Sequence, residues 1–281
     1  MKTSNKLLIA LAVSLIIIPI IVIAVNVKIN YKNEKAFYKN LKGNTDLKSE
    51  LDGYTVKELP DFSSVNLNDG NDSYVNFVVV NSDKSGIKIP SDLTEMYDIK
   101  VDNNNTLQIN LKNSDKKLKY SLTAYIYSSS AKNFNISRAA GFTLDIKTDT
   151  ITVNAKNVNR LNFQELTAIN YLKINTDKVG DLNFSNTKIN NINIYLNNSN
   201  FRSLKSIFQS VNINSVGKSN IEIYGDERDK TKYQINSLAI KTTGITELNI
   251  DFVKVAQSTG SLSDSTRISG SASILKSMLK N

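Results

Sequence analysis

The chain has 281 residues, with 35 Lys and Arg against 26 Asp and Glu, a formal net charge of +9. It contains no Cys and no His, which excludes disulfides, Cys or His zinc sites and His-based catalysis. The first 50 residues hold 8 basic and 3 acidic groups, so the positive excess is concentrated near the N-terminus and no chain-wide nucleic-acid surface is expected.

Residues 7–25 read LLIALAVSLIIIPIIVIAV, 19 residues without a charge. That is long enough to cross a bilayer as a helix, and Pro19 is tolerated in such a helix. Residues 1–26 are therefore expected to be a transmembrane anchor. The rival reading is a cleavable signal peptide with Val22-Ile23-Ala24 as its small-residue site, although the apolar stretch is longer than such peptides usually carry. Lys28, Lys32, Lys35 and Lys39 outnumber Lys2 and Lys6, which by the positive-inside rule favours a cytoplasmic domain. The short N-terminal flank has the form of a signal-anchor, however, and long domains translocate despite flanking charge. The expectation is an extracytoplasmic domain held to the membrane by residues 7–25. Residues 27–57 read as a charged connector, with Phe37, Tyr38 and Leu41 marking at most a short helix.

From residue 58 the pattern is short alternating runs of β-branched and aromatic residues between Asn, Asp, Ser and Gly, an all-β signature. YDIKVD and TLQINLK, joined by Asn103-Asn104-Asn105, read as an antiparallel hairpin with Ile99 and Val101 facing Leu107, Ile109 and Leu111. SYVNFVVV before it and YSLTAYIYSS after it read as further strands. The second half is more regular. Val153, Ile174, Ile194, Ile213 and Ile240 align, with Ile151, Leu172, Ile192, Val211 and Leu238 two residues earlier. Leu161, Leu182, Phe201, Ile221 and Leu248 form a third column, and Phe163, Phe184, Leu204, Ile223 and Ile250 a fourth. Ile136 aligns with Val153 at a shorter spacing. A unit of this kind cannot bury its own apolar face, whereas stacked units can. The fold expected over residues 58–270 is a parallel β-helix or β-solenoid with about 20 residues per turn, with Asn serving at the corners and residues 271–281 a tail or short helix. A β-sandwich or closed antiparallel barrel is the rival.

DLTEMYDIKVDNNNTLQINLKN, followed by YSLTAYIYSSSAKNFNISRAAGFTLDI, resembles the auto-transporter adhesin head GIN domain family. Arg138-Ala139-Ala140-Gly141 is similar to the small-residue motif that opens the repeats of that family. The anchor and the ending TRISGSASILKSMLK resemble envelope proteins of Bacteroidota that carry this domain. The resemblance covers roughly residues 58–250. It implies an extracytoplasmic β-solenoid, and no catalytic residues come with it.

Catalysis and cofactors are not expected, and the competing function is a carbohydrate-active β-helix enzyme of the polysaccharide lyase or hydrolase type. Asp226-Glu227-Arg228-Asp229 is the densest acidic cluster, interrupted by basic residues, and reads as an exposed loop rather than a Ca²⁺ or catalytic site. Arg160, Asp181 and Arg202 occupy similar places in three units and suggest a surface ion network. Two outward columns are the candidate ligand-facing residues: Asn154, Asn175, Tyr195 and Asn214, and Asn162, Asn183 and Asn249. Asn amides donate and accept hydrogen bonds as sugar hydroxyls do, and a Tyr ring can stack on a sugar. The same columns can equally stabilise stacked strands by side-chain bonding between layers. The partners expected are the membrane and a glycan or an envelope protein.

Overall fold

A computed structural model describes residues 3–30, 46–112, 121–229 and 231–278. It separates into two units, Met1–Thr45 and Asp46–Asn281. In the first, helix α1 (Thr3–Asn30) contains the uncharged stretch and carries Pro19 inside it. An 18-residue window within it has a mean hydropathy of 3.2 and is unburied, so the helix is long and apolar enough to cross a membrane. An anchor and a signal sequence both have these properties. The helix expected around Phe37, Tyr38 and Leu41 lies outside the described residues.

Among the described residues the second unit is one 18-stranded sheet. In chain order its strands are β1 (Tyr54–Glu58), β2 (Ser64–Leu67), β3 (Tyr74–Val80), β4 (Gly86–Pro90), β5 (Tyr97–Val101), β6 (Thr106–Leu111), β7 (Leu122–Tyr127) and β8 (Asn133–Ala139). There follow β9 (Gly141–Phe163), β10 (Ala168–Ser185), β11 (Lys188–Asn197), β12 (Asn200–Leu204) and β13 (Ile207–Val216). The last are β14 (Ser219–Tyr224), β15 (Ile235–Thr243), β16 (Thr246–Asp251), β17 (Val255–Ser261) and β18 (Thr266–Gly270), followed by helix α2 (Ala272–Met278). Pairing is parallel throughout β8–β18, which fits a β-helix and not a sandwich. The unit starts before residue 58: β1 pairs antiparallel with β4, and Leu47 is fully buried.

Three of the four apolar columns read from the sequence are in register. Val153, Ile174, Ile194, Ile213 and Ile240 are successive partners, as are Ile151, Leu172, Ile192, Val211 and Leu238. Leu161, Leu182, Phe201, Ile221 and Leu248 form the third. Their aliphatic side chains are removed from water, each contributing roughly 1.5–3 kcal/mol before chain entropy is subtracted.

The fourth column needs a correction. The partner of Phe184 and Ile223 is Ser203, which is 1% exposed, whereas Leu204 is 42% exposed. Phe201 points inward, so the period of two puts Ser203 inside as well. The small Ser leaves room beside Phe184, where the edge of Phe208 meets its ring at 6.2 Å. A second slip concerns Ile136. The partner of Val153 is Phe134, and Ile136 faces Ala155. A further apolar column, Ile169, Ile189 and Phe208, completes the core.

One bend of each layer carries a single positive-φ residue, inside β8, β9 and β10 and directly after β11, β13 and β15. Arg138, Asn157, Lys178, Asn198, Gly217 and Gly244 all have positive φ. Asn fills two of these six places, and Asn71, Asn105 and Asn186 take positive φ at other turns, so Asn serves at corners as expected but shares them with Lys, Arg and Gly. Gly244 is required sterically, since a Cβ there would lie 2.4 Å from the carbonyl oxygen of Gly217.

The N-terminal layers are out of chain order. β2 lies between β6 and β8, parallel to both, and β3 lies between β7 and β9. The segment between β3 and β7 adds β4, antiparallel to β1 and β7, and the β5–β6 hairpin, whose β6 joins the stack beside β2; in the hairpin Ile99 faces Ile109 and Val101 faces Leu107 as expected. At the other end α2 buries Ile274 and Met278, and Ser277 Oγ donates to the Ser258 carbonyl at 2.9 Å. The helix thus covers an open strand edge that would otherwise invite pairing with another chain.

Candidate functional site

The segments Val65-Asn66-Leu67, Phe134-Asn135-Ile136, Val153-Asn154-Ala155 and Ile174-Asn175-Thr176 each place an Asn between two inward residues. Period-two alternation sends the amide outward. Parallel pairing aligns these Asn residues, and Tyr195 and then Asn214 continue the column. The amides bond to one another in a single direction. Asn175 Nδ2 donates to Asn154 Oδ1 at 2.7 Å, Asn154 to Asn135 at 2.8 Å, and Asn135 to Asn66 at 2.5 Å. The donor chain ends at Asn175 because its next register partner is Tyr195. Each amide has two N–H groups and two lone pairs. The ladder uses one of each at Asn135 and Asn154, and further capacity faces outward.

The Asn135–Asn154–Asn175 part of this ladder floors an open groove of about 490 Å³. Asn135, Asn154, Asn175 and Tyr195 line it, with Lys156 and Asp177 along one wall. The Tyr195 ring is 39% exposed. Lys156 Nζ lies 3.8 Å from Asp177 Oδ2, and Asn197 Nδ2 donates to Asp177 Oδ1 at 3.0 Å. The wall charges therefore offset each other, and the groove presents amides, an aromatic face and no net charge. A site of this chemistry can hold a neutral, hydroxyl-rich ligand by hydrogen bonds and ring stacking.

Of the residues singled out from the sequence, Asn154, Asn175 and Tyr195 come together in the groove, while Asn214 sits one strand beyond its lining. Asn162, Asn183 and Asn249 do share a column, but past the left-handed bend of β9 and β10 and outside the groove lining. Asn183 Nδ2 donates to Asn162 Oδ1 at 3.1 Å, and Arg202 and Glu222 stand between Asn183 and Asn249. Arg202 Nε pairs with Glu222 Oε2 at 3.1 Å. Arg202 is thus not a rung of the proposed Arg160–Asp181–Arg202 network: Asp181 faces Arg160 on one side and Asn200 on the other. Asn66 and Asn135 were missed as ladder members. Their signal was the apolar-Asn-apolar triplet, hidden by aligning Ile136 instead of Phe134 with Val153.

Other polar groups are arranged differently. Asn190 donates to Asn170 and Asn170 to Asp149, both at 2.6 Å. The Asn170 bond, and after it a bond from Thr150 Oγ1 at 2.9 Å, hold the Asp149 carboxyl below its usual range. In the acidic loop, Asp226 Oδ2 lies 2.7 Å from Lys205 Nζ, and that bond is the main cause of its lowered pKa. Asp229 accepts from Thr231 Oγ1 at 2.9 Å. Among the described residues no group of three or more acidic side chains is arranged to hold a metal ion. Asp145 Oδ1 is buried with no hydrogen-bond partner, and burial pushes its carboxyl up to about 6.

The family described as "Putative auto-transporter adhesin, head GIN domain" matches residues 61–234, more than half of the chain. The chain belongs to this family. The GIN match covers the out-of-order N-terminal layers, the whole amide ladder and the groove. No curated protein matches the chain. Similar solved structures include "a putative adhesin" from Parabacteroides merdae, at 13% identity and a TM-score of 0.46, covering 76% of this chain and 91% of that one. Another "putative adhesin", from Bacteroides fragilis, has 15% identity and a TM-score of 0.46, covering 76% and 91%. A "putative lipid binding protein" from Parabacteroides distasonis has 13% identity and a TM-score of 0.44, covering 76% and 94%.

Proposed function

We propose that this GIN-family chain is a membrane-anchored, extracytoplasmic binding module of a cell envelope. Residues 7–25 are its anchor, its body is a β-solenoid with about 20 residues per turn, and its ligand is a neutral glycan held in the Asn135–Tyr195 groove. It acts by adhesion and not by catalysis. The observation that carries the ligand reading is the groove itself: a one-directional amide ladder ending against an exposed Tyr ring, beside a wall whose charges cancel. The family description supports the adhesive role, and the unburied apolar helix α1 supports the anchor.

The test is a glycan array probed with the full chain in lipid nanodiscs at low and high salt. Binding through neutral contacts should survive high salt, since screening acts on charges. Changing Asn154, Asn175 and Tyr195 together to Ala should abolish it while the thermal melt stays cooperative. Binding that salt removes, or that the triple variant retains, overturns the reading. The anchor is checked separately: the protein should stay in the membrane pellet after alkaline carbonate washing, and protease added to spheroplasts should digest the domain.

A further inference from the structure

Resting on that reading, we propose that the ligand is an extended, linear, β-linked neutral glycan that lies along the stacking direction with one sugar ring per strand, over four strands.

The argument is one of matched repeats. Asn135, Asn154, Asn175 and Tyr195 are consecutive register partners on β8, β9, β10 and β11. Partners on adjacent strands are set about 4.8 Å apart. An extended β-1,4-linked pyranose chain advances about 5 Å per ring, close to that strand spacing of about 4.8 Å. Four rings therefore stay in step with four strands, each ring meeting one amide or the Tyr face. An extended polypeptide advances about 3.3 Å per residue and repeats its side chains every second residue, so it drifts out of step within two strands. An α-1,4-linked glucan curls and loses contact in the same way.

Both ends of the run are marked. At one end Tyr195 breaks the ladder and offers a ring for stacking. The strand after it brings Asn214 and then Lys241, which lie beyond the groove lining. At the other end Asn66 is the ladder's last acceptor and lies outside the groove lining, and Asn68, which does line it, is engaged with Gln108 and Asn110 at 3.0 and 2.7 Å. The polarity of the ladder matters too. All three amide bonds point the same way, so hydrogen-bonded dipoles reinforce one another.

The experiment is a length series read by isothermal titration on the full chain in lipid nanodiscs. The probes are β-1,4-linked glucose oligomers and β-1,4-linked N-acetylglucosamine oligomers of one to six rings, with α-1,4-linked glucose oligomers as the curled control. For at least one β series, affinity should rise with each added ring up to four, by at least about tenfold from two rings to four, and then stay level. Tyr195→Ala should move the plateau from four rings to three without changing the melting temperature. Should the array and every oligomer give no binding, the glycan reading itself falls, and this proposal with it. Should a β series bind with no dependence on length, or the α series bind equally well, the groove remains a glycan site and the strand-by-strand register is overturned.

Discussion

Lys88 places its ammonium 2.8 Å from the carbonyl oxygen of Ser49. The Ser49 hydroxyl at 2.9 Å and the Asp46 carbonyl at 2.9 Å complete a cage, and the Tyr127 ring lies 5.1 Å away. Lys88 is fully buried, and burial lowers its pKa, with Asp46 opposing the shift. The segment Asp46–Ser49 is thereby fastened to β4 from outside the sheet, with Leu47 packed over Gly86. Replacing Lys88 by Met keeps most of the packing and removes the donors. It should cost about 2 kcal/mol, since charge-assisted bonds are lost and two carbonyls must find water. Tryptic cleavage after Lys48 should become faster by about tenfold. An unchanged cleavage rate would show that Leu47 alone holds the segment.

The inward and outward assignment is tested at one strand. Ile194 is 3% exposed between Ile174 and Ile213, and Asp there buries a charge with no partner. Ile194→Asp should cost several kcal/mol and abolish the β-type circular dichroism of the unit. Asn193, its outward, half-buried neighbour, donates to the Tyr171 hydroxyl. Asn193→Asp can instead accept from that hydroxyl and should change stability by less than about 0.5 kcal/mol. Equal losses from the two changes contradict the assignment.

The ladder has a measurable structural share. Asn154 both donates to Asn135 and accepts from Asn175, so Asn154→Ala breaks two bonds at once. In a half-buried setting the loss should be about 1–2 kcal/mol. Asn154→Asp keeps the acceptor toward Asn175 but turns an anion against the Asn135 carbonyl, and it should be at least as costly. Chemical denaturation of the two variants checks both statements.

Asp145 gives a pH dependence of known sign. Its folded-state pKa is raised from 3.8 to about 6, because burial disfavours the anion. The folded protein therefore binds more protons than the unfolded chain between these values. The stability tied to this group is fully present below pH 4 and is lost as pH rises through about 6. Asp145→Asn should raise the melting temperature at pH 7, have little effect at pH 4, and flatten the slope between them. A gain that is the same at both pH values would mean that packing, not ionisation, is responsible.

Much of the core was legible because the chain obeys period two over long stretches. Ile192 and Ile194, or Val211 and Ile213, stand out against their polar neighbours. The failures came where size or spacing broke the rule. Ser203 is inward though polar, so the exposed Leu204 was taken in its place. Phe134 was displaced by Ile136 because both are apolar and two residues apart, and period two cannot choose between them. Ile169 and Ile189 lie among Asn residues and show no alternation of their own. The amide column was legible in part, since its middle members sit within the regular repeats. The groove was not, because concavity depends on the left-handed bend after Lys156 and Asp177. Asn157 and Lys178 make that bend, and Lys is not a residue that announces one.

The placement of β2 and β3 between layers formed later in the sequence has a consequence for how the chain comes together. When residues 64–80 are first available, both of their edges are bare, because every parallel neighbour lies between 42 and 69 positions downstream. Closing such separations costs entropy before any contact is gained, and bare edges persist meanwhile. The repeats that follow need no such wait, since each strand stacks on one just completed. Assembly should then be two-paced: a slow, aggregation-prone gathering of residues 64–146 around β2 and β3, followed by rapid zippering toward α2. Conditions that delay residues 133–146 should leave the early chain exposed to pairing with its own copies.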